Sequence, residues 1–585
     1  MNRLLCAVAA GLQSGARSVT IGVSRAERGI GARASEREVP IEMSEQQSSR
    51  QHASSQDDPS HATEAPPQRI RGILARLGPG VILAASIVGS GELIMTTKTA
   101  AQAGFWLLWL IIIGCVIKVF VQVEFGRYAI SSGKTTMTAL DEVPGPRWRA
   151  NWILWYWLVM FVVSLAQLGG IVGGVGQALA MNLPLNGSFN RLLEEQKHWD
   201  RQAEPIERQL REKEASAIRG DDPNASEAAR ERIQQTVEAQ LGTRPNWRSR
   251  AEFYWADDVW WSAIVALATV VILAAGRYAM IEGFSAVMVA SFTLVTVFTV
   301  FALQSYADWA VRCSDLADGL SFRLPPLSEG MSRWTPLATA LATFGIIGVG
   351  TNELITYPYW CLEKGYGRFT GPRDESPEWA QRARGWIRVM RWDAMISMVI
   401  FTFATIAFYL LGAAVLHRQG LDPEQNEMIS VLGEMYVPVF GAWAKWLFLF
   451  GAFAVLYSTF FVANAGHTRV ASDAIRVFGA GARTEEARHW WITLFCFVFP
   501  LFSLGCYVVY RYPVVLVAAS GVMQAIMLPM LAGATLYYRY HRSDKRIAPG
   551  RAWDAMLWIS ALGMLVAGAW IAVTKLAELA AKLFG

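Results

Sequence analysis

Long apolar runs dominate this chain from residue 79 to its carboxyl end. A run of about 20 apolar residues is long enough for a helix to cross the hydrocarbon core of a bilayer. We count eleven such runs, which predict an all-α integral membrane protein with eleven transmembrane helices. The predicted spans lie near residues 79–97, 105–125, 153–181, 259–275, 279–303, 336–361, 394–416, 439–467, 488–510, 513–537 and 553–575.

Two polar regions flank or interrupt these runs. Residues 1–69 are rich in Ser, Gln, Arg and Pro and lack helical periodicity, which predicts a disordered cytoplasmic tail. Residues 183–257 are charged, with two helical stretches broken at Asp221-Asp222-Pro223-Asn224, which predicts an extracytoplasmic helical insertion. Its charges form either an ordinary solvated face or a surface for a partner. The membrane part is then divided into residues 70–182, with spans one to three, and residues 258–585, with spans four to eleven.

Basic residues mark alternate loops of the predicted membrane part. They cluster before span one and after spans two, six, eight and ten, as with Arg382, Arg384 and Arg388 after span six. Because Lys and Arg are enriched on the cytoplasmic side, the amino end is predicted inside and the carboxyl end outside. We expect a multi-pass protein of the cell (inner) membrane, in contact with the lipid bilayer. The net charge of +5 reflects this loop bias, and no nucleic-acid partner is expected.

The composition argues against several other classes of function. The six cysteines are scattered without CxxC spacing, so neither a disulfide framework nor a zinc site is indicated. The sequence shows no nucleophile–base pair and no metal–histidine cluster, so we expect no enzyme. No cofactor is predicted. None of the seven histidines is expected in mid-membrane, and His467 is placed at the inner end of span eight.

Two seven-residue motifs nearly repeat each other inside spans one and six. Val88–Ile94 reads VGSGELI and Val349–Ile355 reads VGTNELI. Each motif puts glycine, a hydroxyl and a carboxylate into an apolar run, where a charged side chain is costly and usually functional. Glycine-interrupted segments in corresponding halves of a transporter point to its substrate site. We therefore predict that both helices are broken there.

A broken helix exposes carbonyl oxygens on one half and amides on the other, and the carbonyl end suits a cation. The predicted binding residues are Gly89, Ser90, Glu92, Gly350, Thr351, Asn352 and Glu353. Glu92 and Glu353 are the predicted metal ligands, and Ser90 and Thr351 are predicted to cap the resumed half-helices. In the alternative interpretation both glutamates are structural caps, because a carboxylate in a first turn is favoured by the helix dipole.

Several short segments outside the repeated motif are typical of one transporter family. The segments are Gly78-Pro79-Gly80, Leu107 to Gly126, Gly176 to Asn182, Ile281-Glu282, Asp393, Ser458-Thr459, Ala465-Gly466 and Leu528-Pro529. With the eleven spans, they resemble the natural resistance-associated macrophage protein (Nramp) family of divalent-metal transporters from residue 70 to about 575, apart from the insertion. The resemblance implies a leucine-transporter-type fold: two inverted five-span repeats plus one span, with broken spans one and six facing each other.

The metal-site motifs depart from that family's pattern. Its Asp-Pro-Gly-Asn aligns with Gly89-Ser90-Gly91-Glu92, and its Met-Pro-His aligns with Val349-Gly350-Thr351. The acidic pair that the family has in span three aligns with Gly170 and Gly173 of this chain. What remains is an oxygen-only set of ligands, which suits a hard cation such as Mg²⁺ or Mn²⁺.

Three functions remain open from the sequence. The first is an Nramp-like secondary transporter that moves a hard divalent cation by alternating access. The second is a sodium-coupled transporter of a small, cationic organic solute, in which Ser458 and Thr459 would bind sodium. The third is a non-transporting membrane sensor of the same fold. Gln524 in span ten is a secondary candidate for the pathway, and Lys118 and Glu124 in span two are expected to snorkel or to pair with each other.

Overall fold

The computed structural model describes residues 63–214, 223–243, 255–275, 278–326, 334–424, 427–481 and 484–584. Most of the predicted tail, residues 1–62, therefore lies outside the described residues. From residue 63 the chain contacts the membrane part: the Glu64 amide donates to the Phe369 carbonyl at 3.1 Å, and the Trp386 indole donates to the Glu64 carbonyl at 2.9 Å.

The described secondary structure is helical apart from one short antiparallel ladder between Arg147–Trp148 and Ala150–Asn151. Ten helices in the described residues are long and apolar enough to cross a membrane. An eleventh helix, Tyr278–Leu303, lies where the fifth span is predicted, and its apolar segment is Val287–Leu303. The multi-pass all-α prediction is confirmed. Spans one to five are Pro79–Ile87 with Ser90–Thr96 and Thr97–Ala103, Leu108–Ser132, Trp152–Asn182, Asp257–Ala274 and Tyr278–Leu303.

The remaining elements complete the membrane part and its loops. Spans six to eleven are Trp334–Ile346 with Thr351–Glu363, Pro377–Leu411 with Gly412–His417, Ala444–Val477, Glu485–Val509, Pro513–Tyr537 with Tyr538–Arg542, and Arg551–Phe584. The short helices and turns are Ile70–Leu74, Thr136–Asp141, Cys313–Gly319, Tyr366–Thr370, Met428–Glu434, Val437–Phe440, Gly441–Trp443 and Lys545–Ile547.

The insertion forms the predicted helical hairpin. Its helices, Ser188–Lys213 and Pro223–Leu241, share a small core of Ala203, Ala229, Ile233 and Val237. The Trp199 indole donates to the Gly242 carbonyl at 3.2 Å, and Arg232 pairs with Glu214 at 3.1 Å. The middle of the first helix thus contacts the end of the second, and the end of the first contacts the middle of the second, so the helices run antiparallel. The outer position of the hairpin and its partner-binding role stay predictions.

Two helices are longer than their apolar runs. Span seven begins at Pro377 and not near residue 394, and span eight continues to Val477 and not to about 467. In both extensions one face stays apolar and buried, as with Trp386 in span seven and Ala474 in span eight. Average hydropathy falls where charges appear on the other face, but the amphipathic helix continues because its buried face still packs.

Span three packs closely against spans nine and ten through its glycines. A Cβ atom on Gly170 would lie 2.8 Å from the Pro513 carbonyl oxygen, and one on Gly173 would overlap the Tyr507 ring. Gly170 and Gly173, which the resemblance aligns with the family's acidic pair, therefore leave no room for a side chain. The small residues serve close helix packing.

Asp393, in the middle of span seven, caps the start of span one. Its buried carboxylate accepts hydrogen bonds from the amides of Gly78, at 2.9 Å, and Gly80, and from the Tyr357 hydroxyl at 3.0 Å. We expect Asp393→Ala to lower the free energy of unfolding by about 3 kcal/mol, because the buried amides of Gly78 and Gly80 lose their acceptor, whereas the Tyr357 hydroxyl keeps the Met390 carbonyl at 3.2 Å. Thermal unfolding in detergent measures this, with the exposed Asp318→Ala as control. A variant as stable as the control would contradict the cap.

Candidate functional site

Span one is broken at Val88 and Gly89, as its motif predicts. The first half ends at Ile87, and the chain resumes at Ser90 as a turn of π-helix that leads into Thr97–Ala103. Gly89 lies against span eight so closely that a Cβ atom would overlap the Thr459 hydroxyl oxygen. The glycine is therefore required by the approach of the two helices at the break.

Span six is broken between Ile346 and Thr351, where Gly348 adopts a positive φ of 55°. The first half-helix ends with unpaired carbonyl oxygens, as every helix does. The fully buried Lys118 of span two donates to two of them, at Phe344 (2.7 Å) and at Ile347. The expectation that Lys118 snorkels or pairs with Glu124 is wrong, since Glu124 pairs with Arg127 at 3.0 Å.

Glu92 joins the two breaks to each other. One carboxylate oxygen accepts the Gly348 amide of span six at 3.1 Å and the Thr405 hydroxyl at 3.4 Å. The other oxygen accepts the amide of Gly89 at 3.4 Å, in its own break. The side chain is fully buried. This is the geometry of the structural cap that the sequence left as an alternative, extended across two helices.

Glu353 faces a cavity between the broken spans. The cavity measures about 20 Å³, which is room for about one water molecule or a bare ion. Glu353 accepts a long hydrogen bond of 3.4 Å from the Ser86 hydroxyl, and Glu92 is not part of the cavity wall. Among its lining residues are Ser86, Ser90, Gly91, Gln167, Ile171, Asn352, Glu353, Thr459, His467 and Gln524.

A chain of side-chain hydrogen bonds connects four spans around this cavity. Gln167 of span three donates to Ser90 at 3.1 Å, and Gln524 of span ten donates to Gln167 at 3.1 Å. Gln524 also accepts the Asn352 amide at 3.4 Å, while the Asn352 side chain donates to Ser164 at 2.9 Å. The predicted residues of spans one, six and ten are thus brought together, and Gln524 both faces the cavity and bonds across helices.

Ser90 and Thr351 do not cap the half-helices that they begin. Neither resumed helix has a side-chain cap at its first residue, and Gly89 and Gly350 occupy the cap positions. The Ser90 hydroxyl accepts from Gln167, and the Thr351 hydroxyl donates to the Gln524 carbonyl at 2.8 Å. The capping prediction is wrong because contacts with neighbouring helices replace the local hydrogen bond.

The two hydroxyls of span eight contact the carbonyl end of the first half of span one. Ser458 donates to the Ala85 carbonyl at 3.3 Å, and Thr459 donates to the Ser86 carbonyl at 3.0 Å. The juxtaposition predicted for a sodium site is therefore present, with direct hydrogen bonds between its members.

His467 is the residue of the site that sequence reasoning missed. Because span eight continues to Val477, His467 lies within the helix and not at its end, and it lines the cavity. Among the described residues, no three His, Cys, Asp or Glu side chains converge as a metal-binding group. In the cavity wall Glu353 and His467 are the two residues of these types, and hydroxyl and amide groups supply the rest.

Comparisons with known proteins agree with this architecture. The sequence profile of the family described as natural resistance-associated macrophage protein-like matches residues 253–574. The divalent metal cation transporter MntH of Deinococcus radiodurans is 29% identical over 119 residues, or 20% of this chain and 26% of that protein. MntH of Mycobacterium tuberculosis is 29% identical over 111 residues, or 19% of this chain and 25% of that protein. The chain thus spans about a quarter of the length of the curated relatives it matches.

The likeness to solved structures covers nearly the whole chain. The crystal structure of a manganese transporter of Eremococcus coleocola matches with a TM-score of 0.56 and 14% identity, covering 91% of this chain and 92% of that one. At this identity the likeness shows the fold alone. It confirms the predicted leucine-transporter-type membrane architecture.

Proposed function

The chain belongs to the natural resistance-associated macrophage protein-like family, and on that premise we propose that it carries a divalent metal cation, Mg²⁺ or Mn²⁺, across the membrane by alternating access. The observation that carries the proposal is the ion-sized cavity between the two broken helices, with the Glu353 carboxylate in its wall. A transporter of this family is not an enzyme, as the sequence predicts.

Glu353 is the charged ligand in this proposal. It stands in the first turn of the resumed half of span six, where the free amides favour a carboxylate. Its weak hydrogen bond to Ser86 leaves most of its acceptor capacity for an ion. Ser90 and Asn352 line the same wall, and their hydroxyl and amide groups are the neutral oxygen ligands of the kind that hard cations bind.

Glu92 has a different role in the proposal, although the sequence places both glutamates in equivalent positions. Its oxygens are taken by the amides of Gly89 and Gly348, so it holds the two breaks in register. We assign it to the positioning of the half-helices and not to the coordination of the ion.

The cavity favours an ion over an organic solute. A volume of about 20 Å³ holds one water-sized particle and excludes a solute of several heavy atoms. Its wall is formed by aliphatic, hydroxyl, amide, carboxylate and imidazole groups, with no Phe, Tyr or Trp among the described lining residues.

Uptake into proteoliposomes tests the proposal with a matched pair of variants. We expect Glu353→Gln to reduce Mg²⁺ or Mn²⁺ uptake at least about tenfold, because the site loses its negative charge. Glu92→Gln removes the same charge from the corresponding motif of span one. It is expected to lower the melting temperature, while the folded protein keeps its metal affinity. If both variants lost metal affinity equally, Glu92 would be a metal ligand as well. Wild-type vesicles without divalent-cation flux would overturn the proposal.

A further inference from the structure

His467 is a buried imidazole with an unmet hydrogen-bonding capacity. Its residue is 4% exposed, and its Nδ1 has no hydrogen-bond partner within the part of the chain that the structure describes. The ring packs edge-on against Phe161, with 5.1 Å between the ring centroids. A buried polar atom without a partner is unfavourable, so an unmatched imidazole nitrogen beside a cavity points to a ligand.

His467 and Glu353 line two neighbouring cavities together. The first is the cavity between the breaks, and the second measures about 10 Å³ and continues along spans six and eight to Trp360. Ser86 and Asn352 also belong to both walls. A site formed from these side chains would hold one carboxylate, one imidazole and oxygen donors from a hydroxyl and an amide.

The two helices are unusually close at this level. A Cβ atom on Gly466 would lie 2.6 Å from the Thr356 methyl carbon, so any other residue would force the Thr356 side chain to move. Glu353 and Thr356 are one turn apart on span six, and Gly466 and His467 are adjacent on span eight. The close approach therefore brings the carboxylate-bearing and imidazole-bearing segments to the same cavity.

We propose that His467 and Glu353 together form a mixed nitrogen–oxygen site that selects a first-row transition-metal dication, such as Mn²⁺ or Co²⁺, over Mg²⁺ and Ca²⁺. The inference rests on the proposed function and narrows its substrate. Imidazole nitrogen suits transition metals, whereas Mg²⁺ and Ca²⁺ take oxygen ligands. The oxygen-only ligand set predicted from the sequence is thereby extended by one nitrogen, supplied by span eight.

A purely structural role of His467 does not account for its unpartnered nitrogen. A histidine that only fills space beside Phe161 would gain packing and leave its buried nitrogen unsatisfied, where a leucine or methionine would pack without that cost. It would also not account for the presence of His467 beside Glu353, the carboxylate among the described lining residues, in both cavity walls.

The test uses the full chain, purified in detergent, with Mn²⁺, Co²⁺ and Mg²⁺ as probes in calorimetric titrations. We expect the wild type to bind Mn²⁺ and Co²⁺ at least about tenfold more tightly than Mg²⁺. His467→Gln should lower the Mn²⁺ and Co²⁺ affinities about tenfold and thereby remove their advantage over Mg²⁺, because the substitution replaces the imidazole nitrogen with an amide oxygen. His489→Gln, at an exposed position in span nine, is the matched control and should change neither.

Pulsed electron paramagnetic resonance of Mn²⁺ bound to the wild type gives a readout that does not depend on a folded variant. We expect a ¹⁴N coupling typical of a ligated imidazole, lost in His467→Gln and retained in His489→Gln. Mn²⁺ binding that depends on Glu353 but shows no ¹⁴N coupling would overturn this inference and leave the proposed function standing. If no divalent cation binds, or if Glu353→Gln binds as the wild type does, the proposed function fails as well.

Discussion

Lys118→Met is expected to lower the free energy of unfolding by about 2–3 kcal/mol and to reduce metal uptake at least about tenfold. Lys118 is fully buried, and its ammonium group donates to the carbonyls of Phe344 and Ile347 at the end of the first half of span six. Without it, two carbonyl oxygens are left unpaired in the protein interior, each at a cost of about 1–3 kcal/mol. Methionine relieves the desolvation cost of the charge, so the net loss is smaller than the sum.

The effect on uptake follows from the position of these carbonyls. They end the half-helix directly before the turn that leads through Gly350 to Glu353. A frayed end displaces the carboxylate from the cavity wall, and a small displacement of a binding group is enough to lose most of its contribution.

Thermal unfolding and vesicle uptake measure the two effects, and Lys134→Met is the matched control. Lys134 pairs with Glu142 at 2.5 Å and is 41% exposed, so its loss is expected to cost less than about 1 kcal/mol. If both lysine variants unfold and transport alike, Lys118 does not hold the break.

Gly89→Ala is expected to abolish transport, with a loss of stability of about 1–3 kcal/mol from overpacking. The added Cβ would overlap the Thr459 hydroxyl and lie 2.6 Å from the Thr459 Cβ. Rotation of the threonine side chain moves its hydroxyl but not its Cβ, so the clash persists in every rotamer. Span eight must then move away from the break in span one.

A second substitution tests that cause directly. Thr459→Gly removes all the clashing atoms, and Gly89→Ala with Thr459→Gly is expected to recover uptake to the level of Thr459→Gly alone. Thr459→Gly itself costs about 1 kcal/mol in helix propensity, in addition to its hydrogen bond to Ser86. A double variant as inactive as Gly89→Ala would show that the glycine is needed for its backbone and not for this contact.

Two segments that are distant in the chain form one structural unit. Gly78-Pro79-Gly80 and Asp393 are separated by more than half of the chain, yet the carboxylate of Asp393 accepts from the first and third residues of that segment. A Cβ atom on Gly80 would lie 2.7 Å from the Asp393 side chain. The glycine and the aspartate thus form a single cap at the start of span one.

Much of the architecture follows from the sequence alone, because it depends on local chemistry. Apolar runs of membrane length predict the spans, and glycine with a carboxylate inside such a run predicts a break wherever it occurs. Both breaks and the helical hairpin of the insertion are where these patterns place them. Where hydropathy failed, as at the ends of spans seven and eight, an amphipathic extension had diluted the apolar signal without ending the helix.

The different roles of Glu92 and Glu353 follow only from the tertiary structure. Glu92 and Glu353 occupy the same place in nearly identical motifs, so no local rule separates them. The rotation of each helix turns one toward the amides of the opposite break and the other toward the cavity. Lys118 and His467 acquire their positions from helices more than 100 residues away along the chain. Such contacts depend on how eleven helices pack, which a single sequence does not encode in any local pattern.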